Sequence, residues 1–168
     1  SQCSWSHDHI LPTRVIDVGS EDEEPFLFES KGAKGEWLTL SHCWGGGAPL
    51  QTTSYSLQNH KASIPMESLP ETFRDAIILT RRLGYQYIWI DSLCIIQNIH
   101  EDWTSESSQM FRVYANASIN LSASAARNPT DGIFESGNGM RNCSAPITKL
   151  ECRSEKKGIE GVVGVRLQ

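Results

Sequence analysis

The segment that most constrains this chain is residues 85–117, where an apolar run leads through a short polar loop into a helical pattern. Residues 87–93 are apolar at almost every position, which is typical of a strand covered by other elements on both faces. Asp91 interrupts this run. Because a buried carboxylate needs a partner or a role, we predict a buried strand with a polar site at its carboxyl end.

The helical pattern after this strand places a carboxylate among apolar side chains. Asp102 is a favourable N-cap residue, and the spacing predicts a helix over 103–115. Glu106 falls on its apolar stripe, which comprises Trp103, Met110, Val113, Tyr114 and Ala117. Open α/β sheets bind ligands at the carboxyl ends of their strands, so Glu106 is the candidate catalytic residue. The alternative is a structural Glu106 that pairs with Arg112 or another cation, or caps a backbone amide.

Two further strands and one helix complete an alternating pattern. Strands are predicted at 36–41 and 118–124, and a helix at 69–83. Ser68 would cap this helix, in a capping box with Glu71. The order strand, helix, strand, helix, strand predicts an α/β fold with a mainly parallel sheet flanked by helices.

The two ends of the chain read as irregular extensions of this core. Shorter strands are predicted at 15–18, 26–28 and 159–165, and residues 127–140 are expected to form a loop. We expect a single domain over 1–168, with no initiator Met, that is a segment of a longer multi-domain protein.

Composition limits the classes of partner. With 168 residues, 39% hydrophobic and 21% charged, the chain is long enough to bury a core. A net charge of −5 argues against nucleic acid as a partner, and no apolar run approaches the ~18 residues of a membrane span. Five dispersed cysteines without a C-x-x-C pair indicate reduced thiols and a cytoplasmic location.

The loop after strand 36–41 is a second candidate binding element. His42 and Trp44 are followed by three glycines from Gly45 onward, which let the backbone approach a ligand closely. Trp44 and Trp103 either stack on a flat ligand ring or fill the core. Asp91 either takes part in the site or pins the 42–46 loop through its amides.

Cys94 and His42 raise a rival interpretation. Cys94 would attack a carbonyl group and His42 would act as its base, provided that the two side chains lie within hydrogen-bond reach. Cys3, His7 and His9 offer only three metal ligands in an irregular stretch, so no metal site is predicted.

Four ordered blocks of the chain resemble the heterokaryon incompatibility (HET) domain of filamentous fungi. The blocks are LPTRVIDVG, LTLSHCWGG, LPETFRDAIILTRRLGYQYIWIDSLCIIQ and DWTSESSQMFRVYANASINLSASA, within residues 11–134. The chain departs from the family pattern at Asn98, where Asp is common. The resemblance implies an effector of fungal nonself recognition and innate immunity that triggers programmed cell death.

The HET family is in turn remotely similar to TIR domains, which implies a TIR-like sheet. Several TIR domains cleave NAD with a Glu that follows a Trp by three residues, the relation between Trp103 and Glu106. The block ending in Ser41 and His42 resembles the first TIR strand. The resemblance implies NAD as a substrate rather than a tightly bound cofactor, with Glu106 catalytic. Ser41, His42, Trp44, Gly45, Asp91 and Trp103 would bind the nucleotide.

A non-enzymatic, self-associating signalling module is the alternative from another class. An enzyme needs an open cleft that reaches Glu106, whereas a scaffold would bury Glu106 and satisfy it with a cation. On the enzymatic interpretation, we expect His42, Trp44, Asp91, Trp103 and Glu106 to meet in one cleft or its wall.

Overall fold

A mixed β-sheet with flanking helices forms the larger part of this molecule, seen here in a computed structural model. The structure describes residues 9–42 and 50–123, and the backbone of two strands at 148–154 and 159–165. The chain divides into two compact units, residues 1–133 and 134–168.

The first unit contains most of the described helices and strands. Its strands are β1 (His9–Ile10), β2 (Arg14–Asp17), β3 (Phe26–Glu29), β4 (Lys34–Gly35), β5 (Trp37–Ser41), β6 (Tyr87–Ile90) and β7 (Ile119–Ser122). Its helices are α1 (Leu57–Ala62), α2 (Glu71–Arg82), the single turn α3 (Asp91–Cys94) and α4 (His100–Ala115), with a 3-10 turn at Met66–Ser68. The predicted strands near the amino terminus and the three core strands are therefore confirmed.

Five of these strands form one sheet in the order β3-β2-β6-β5-β7. β5 lies between β6 and β7 and is parallel to both, with Leu40 opposite Ile90 and Leu121. β2, however, is antiparallel to both β6 and β3. The predicted mainly parallel sheet is therefore wrong. The sheet is mixed because β2 enters it from the other direction and brings β3 with it as a hairpin partner.

Apolar periodicity explains where the core lies. β2 is buried at all of its positions and β5 from Trp37 to Leu40. α2 buries Phe73, Ala76, Ile77 and Thr80, the spacing of one helix face. Removal of this much apolar surface from water is the main source of stability for such a unit.

Three predicted boundaries differ from the structure. The strand predicted at 87–93 ends at Ile90, because the next residues form the turn α3. Ser68 lies in the 3-10 turn, so α2 begins at Glu71 without a side-chain cap. α4 begins at His100, before the predicted N-cap Asp102, whose carboxylate is bonded elsewhere.

The described part of the second unit is a two-stranded antiparallel ribbon. β8 (Thr148–Ser154) pairs with β9 (Ile159–Val165), which confirms the strand predicted at 159–165. The loop predicted at 127–140 lies outside the described residues. Across the described helices of the chain, none is long and apolar enough to cross a membrane.

Candidate functional site

The carboxyl ends of the parallel strands bring several polar residues to one edge of the sheet. Ser41 is the last residue of β5, and Asp91 follows the last residue of β6. Because Leu40 and Ile90 are paired across the two strands, Ser41 and Asp91 lie side by side. β2 is antiparallel to β6, so its first residue, Arg14, lies at this same edge. Ligands of open α/β sheets bind at this kind of position.

Arg14 is the buried cation of this edge, and the sequence did not single it out. Its side chain donates a hydrogen bond from Nε to the carbonyl oxygen of Cys94 at 2.7 Å. Its Nη2 lies 2.6 Å from both carboxylate oxygens of Asp102. Asp102 also accepts a hydrogen bond from the amide of Ile96 at 2.8 Å. Arg14 is only 6% exposed, so Asp102 compensates a charge that would otherwise be costly to bury.

Glu106 is a second carboxylate beside the same cation. It is 6% exposed, as its place in the helical pattern predicted. Its Oε1 lies 4.0 Å from Nη2 of Arg14, which is longer than a hydrogen bond. No hydrogen bond between described residues reaches its carboxylate. The cation beside it is Arg14, which fits the alternative of a cation other than Arg112. Because Asp102 already pairs with Arg14, Glu106 leaves this cluster with an excess negative charge.

The pKa of the Cys94 thiol depends on the charged groups near it. Burial raises its pKa to about 12, the backbone at Ile90 and the charge of Arg14 lower the pKa, and Asp91 and Glu106 raise it. One cation and two carboxylates therefore act on a single buried atom. Asp91 and Glu106 both raise the pKa of this thiol, and the convergence of all the predicted site residues in one cleft stays a prediction.

This environment contradicts the interpretation of Cys94 as a nucleophile. A thiol with a pKa near 12 stays protonated at neutral pH, and the thiolate is the reactive form. Within the described part of the chain, neither ring nitrogen of His42 has a hydrogen-bond partner, so the required pairing with Cys94 is not present. Cys94 is a buried apolar residue at the edge of the core.

We expect Cys94→Ala to fold and to keep whatever activity the chain has. The substitution removes a protonated sulfur atom that takes no part in the proposed reaction. A typical substitution in a protein core lowers the free energy of unfolding by about 1 kcal/mol. The measurements are the midpoint of urea unfolding and the release of nicotinamide from NAD. A folded but inactive Cys94→Ala protein would restore the thiol mechanism.

His42 and Asp91 form a third element of the edge. Nδ1 of His42 lies 3.9 Å from Oδ1 of Asp91, and the His42 side chain is 1% exposed. Phe73 of α2 meets the imidazole edge-on, with ring centroids 4.8 Å apart. Burial lowers the pKa of His42, and Asp91 raises it in part. The imidazole is therefore neutral at pH 7. Asp91 also accepts a hydrogen bond from the amide of Ser92.

The structure describes only one of the two tryptophans predicted to lie in the site. Trp103 is 48% exposed, so its predicted place in the buried stripe of α4 is wrong. Glu106 and Val113 are the buried residues of that helix, and Met110 and Tyr114 pack against the core beside them. Trp103 still lies one turn before Glu106, and its role with a ligand stays a prediction. Trp44 and Gly45 lie outside the described residues.

A cavity of about 690 Å³ lies at the opposite edge of the sheet, away from this cluster. Its lining includes Asp17, Glu23, Arg81 and Gln86, and does not include Glu106. Arg81 donates to the carbonyl oxygens of Val18 and Glu23, and Asp17 accepts from Gly19 and Gln86. These polar groups hold the loops together, so we place the chemistry at the Glu106 edge instead.

Among the residues that the structure describes, no group of three or more His, Cys, Asp or Glu side chains is arranged to hold a metal ion. Cys3 and His7 lie outside those residues.

Comparison with known proteins identifies a family for this chain. The family model described as Heterokaryon incompatibility protein (HET) matches residues 37–161. This range includes β5, β6, α4 and β7, and therefore His42, Asp91 and Glu106, whereas Arg14 precedes it. No curated protein and no solved structure matches the chain.

Proposed function

We propose that this chain, which belongs to the heterokaryon incompatibility (HET) family, is the effector domain that triggers programmed cell death after incompatible fungal cells fuse. The family assigns a role related to heterokaryon incompatibility. Our proposal adds a mechanism, in which the domain cleaves NAD at the bond between nicotinamide and ribose.

The position of the Glu106 carboxyl group, beside a cation that Asp102 already binds, is the observation that carries this proposal. Glu106 lies 4.0 Å from Arg14, but Arg14 is already bonded to both oxygens of Asp102. A carboxylate that is not needed to balance a cation, in a site with little water, strongly stabilises a developing positive charge.

The chemistry of NAD fits such a site. The nicotinamide nitrogen carries a positive charge, so it takes the bonding electron pair and leaves as a neutral ring without needing a proton. Positive charge then develops on the ribose, as it does in glycoside cleavage. The reaction therefore needs a carboxylate near C1′ of the ribose rather than a general acid. Glu106 would supply it.

The remaining predicted binding residues would hold the nucleotide. Ser41 and Asp91 lie at the carboxyl ends of adjacent parallel strands, where the ribose would bind. The backbone of Gly45 would approach the phosphates, and Trp44 or Trp103 would stack on a ring. The similarity of the Trp103–Glu106 spacing to that of TIR domains supports this arrangement.

A self-associating module without catalysis is the second candidate. It is favoured by the 6% exposure of Glu106 and by the cation beside it. Two large apolar side chains on α4 also face solvent, Trp103 at 48% and Phe111 at 81% exposed. On this proposal, Glu106 would be a structural carboxylate and α4 would contact another copy.

Incubation of the purified 168-residue chain with NAD separates the two candidates. The protein is used concentrated or forcibly oligomerised, and nicotinamide and ADP-ribose are measured by chromatography. We expect equal amounts of both products from NAD. The reduced cofactor NADH is the matched control, because its nicotinamide ring has no positive charge to accept the electron pair. Self-association with no nicotinamide release would favour the second candidate.

A further inference from the structure

His42 has a buried side chain with no hydrogen-bond partner among the described residues. Both of its ring nitrogens are buried and bond to no group in residues 9–42 and 50–123, although the ring lies next to the carboxylate of Asp91. A neutral imidazole has one donor and one acceptor nitrogen, and leaving both unsatisfied destabilises the fold. A histidine kept in this state at the ligand-binding edge of a sheet suggests a role that begins when a ligand binds.

Neighbouring groups share this property. The hydroxyl oxygens of Ser92 and Thr72 are also buried, and neither has a partner among the residues that the structure describes. Ser92 is next in sequence to Asp91, and Thr72 is next to Phe73, whose ring contacts His42. Unsatisfied polar groups therefore occur on the two segments that contact the imidazole.

We propose that His42, held in orientation by Asp91, is the general base that activates the water molecule for NAD hydrolysis. This inference rests on the proposed NAD cleavage. Nδ1–H of His42 would face Asp91, and the 3.9 Å separation would shorten in the substrate complex. Nε2 would then be free to accept a proton from water.

The step balances in atoms and charge. The water oxygen forms a bond to C1′ of the ribose, and one water proton moves to Nε2 of His42. The bond from C1′ to nicotinamide breaks, and its electron pair stays on the ring nitrogen. ADP-ribose and neutral nicotinamide leave, and the imidazolium later returns its proton to solvent. Glu106 stabilises the charge on the ribose, and so the two residues have separate functions.

Cys94 and Tyr114, the other titratable groups on which Asp91 acts, are less suited to this step. The pKa of Cys94 and that of Tyr114 are each raised to about 12, chiefly by burial. Tyr114 also donates its hydroxyl to the carbonyl oxygen of Leu40. Asp91 is occupied by the amide of Ser92. His42 has a pKa below its ordinary value of 6.5 because it is buried, so it is unprotonated at neutral pH, as a base must be.

Competition between two acceptors of the ribosyl group tests this assignment. A free pyridine base such as 3-acetylpyridine attacks C1′ through its nitrogen lone pair and loses no proton, whereas water must lose one. We expect His42→Gln to slow hydrolysis by about 10²–10⁴-fold while exchange with 3-acetylpyridine continues near the wild-type rate. Glu106→Gln should slow both reactions. Thermal melting identifies variants that do not fold.

The pH dependence of the wild-type chain gives a test that needs no variant. Hydrolysis should fall as the pH drops through the pKa of His42, below 6.5, and exchange should not. Asp91→Asn removes a charge that raises this pKa, so the acid limb of hydrolysis should move to still lower pH. Equal pH profiles for hydrolysis and exchange would overturn the role of His42. If the acid limb of the hydrolysis profile stays at the same pH in the Asp91→Asn protein, the positioning role of Asp91 is overturned.

Failure of this inference can be told apart from failure of the proposed function. If the wild-type chain releases nicotinamide but His42→Gln slows both reactions equally, or neither, NAD cleavage stands and the base is not His42. If the wild-type chain releases no nicotinamide by hydrolysis or by exchange, NAD cleavage is overturned, and the role of His42 with it.

Discussion

Glu106→Gln should leave a folded protein that no longer cleaves NAD or kills cells. Glutamine keeps the size of the side chain but removes the charge, while Arg14 remains paired with Asp102. We therefore expect a stability change within about 1 kcal/mol, typical of a single substitution. Loss of one group that stabilises a charged transition state lowers the rate by about 10²–10³-fold. Nicotinamide release and survival of expressing cells are the measurements.

Glu101→Gln is the matched control for this prediction. Glu101 lies in the first turn of the same helix but is exposed, so the same chemical change there should alter neither activity nor stability. If the folded Glu106→Gln protein kills as well as the wild-type protein, Glu106 is a structural carboxylate and the site is wrong.

Arg14→Met should produce the largest loss of stability. Arg14 is the cation beside Asp102 and Glu106, and its Nε also satisfies the Cys94 carbonyl. Methionine fills similar space but leaves two carboxylates without their positive partner in a buried position. Removal of one member of a buried ion pair costs about 3–5 kcal/mol, a large part of the ~5–15 kcal/mol that stabilises a typical domain. The midpoint of urea unfolding measures this loss.

Arg82→Met gives the comparison, because Arg82 is exposed at the end of α2. We expect that change to stay within about 0.5 kcal/mol. Asp102→Asn combined with Arg14→Met should cost less than the sum of the two single changes, because the residues are in contact. Additive effects would show that the pair contributes little to stability.

The sequence predicted the parallel part of the sheet but not the direction of β2. Alternating strand and helix patterns with short connections determine that β5, β6 and β7 are neighbours, and the family resemblance drawn from the same segments is confirmed. The residues at 15–18 predicted a strand, and the structure has one at Arg14–Asp17. Its direction depends on how a longer connection crosses the sheet, and hydrophobic periodicity carries no information about that.

In the candidate site, too, the sequence predicted features that depend on neighbouring residues but not contacts between residues far apart in the chain. The burial of Glu106 follows from the period of one helix and was predicted. Its neighbour Arg14 was missed, since Arg14 and its partner Asp102 are 88 positions apart and no spacing rule connects them. The same contact explains the boundary of α4. Asp102 bonds to Arg14 and to the Ile96 amide, so it does not act as the predicted N-cap. The exposure of Trp103 likewise depends on how α4 packs on the sheet.

The most direct test of killing by NAD cleavage is to follow the NAD content and the viability of the same cells after induced expression of the chain. We predict that NAD falls before cells die, and that cells expressing equal amounts of the Glu106→Gln protein keep both their NAD and their viability. Death of wild-type-expressing cells at an unchanged NAD content would contradict the proposed mechanism.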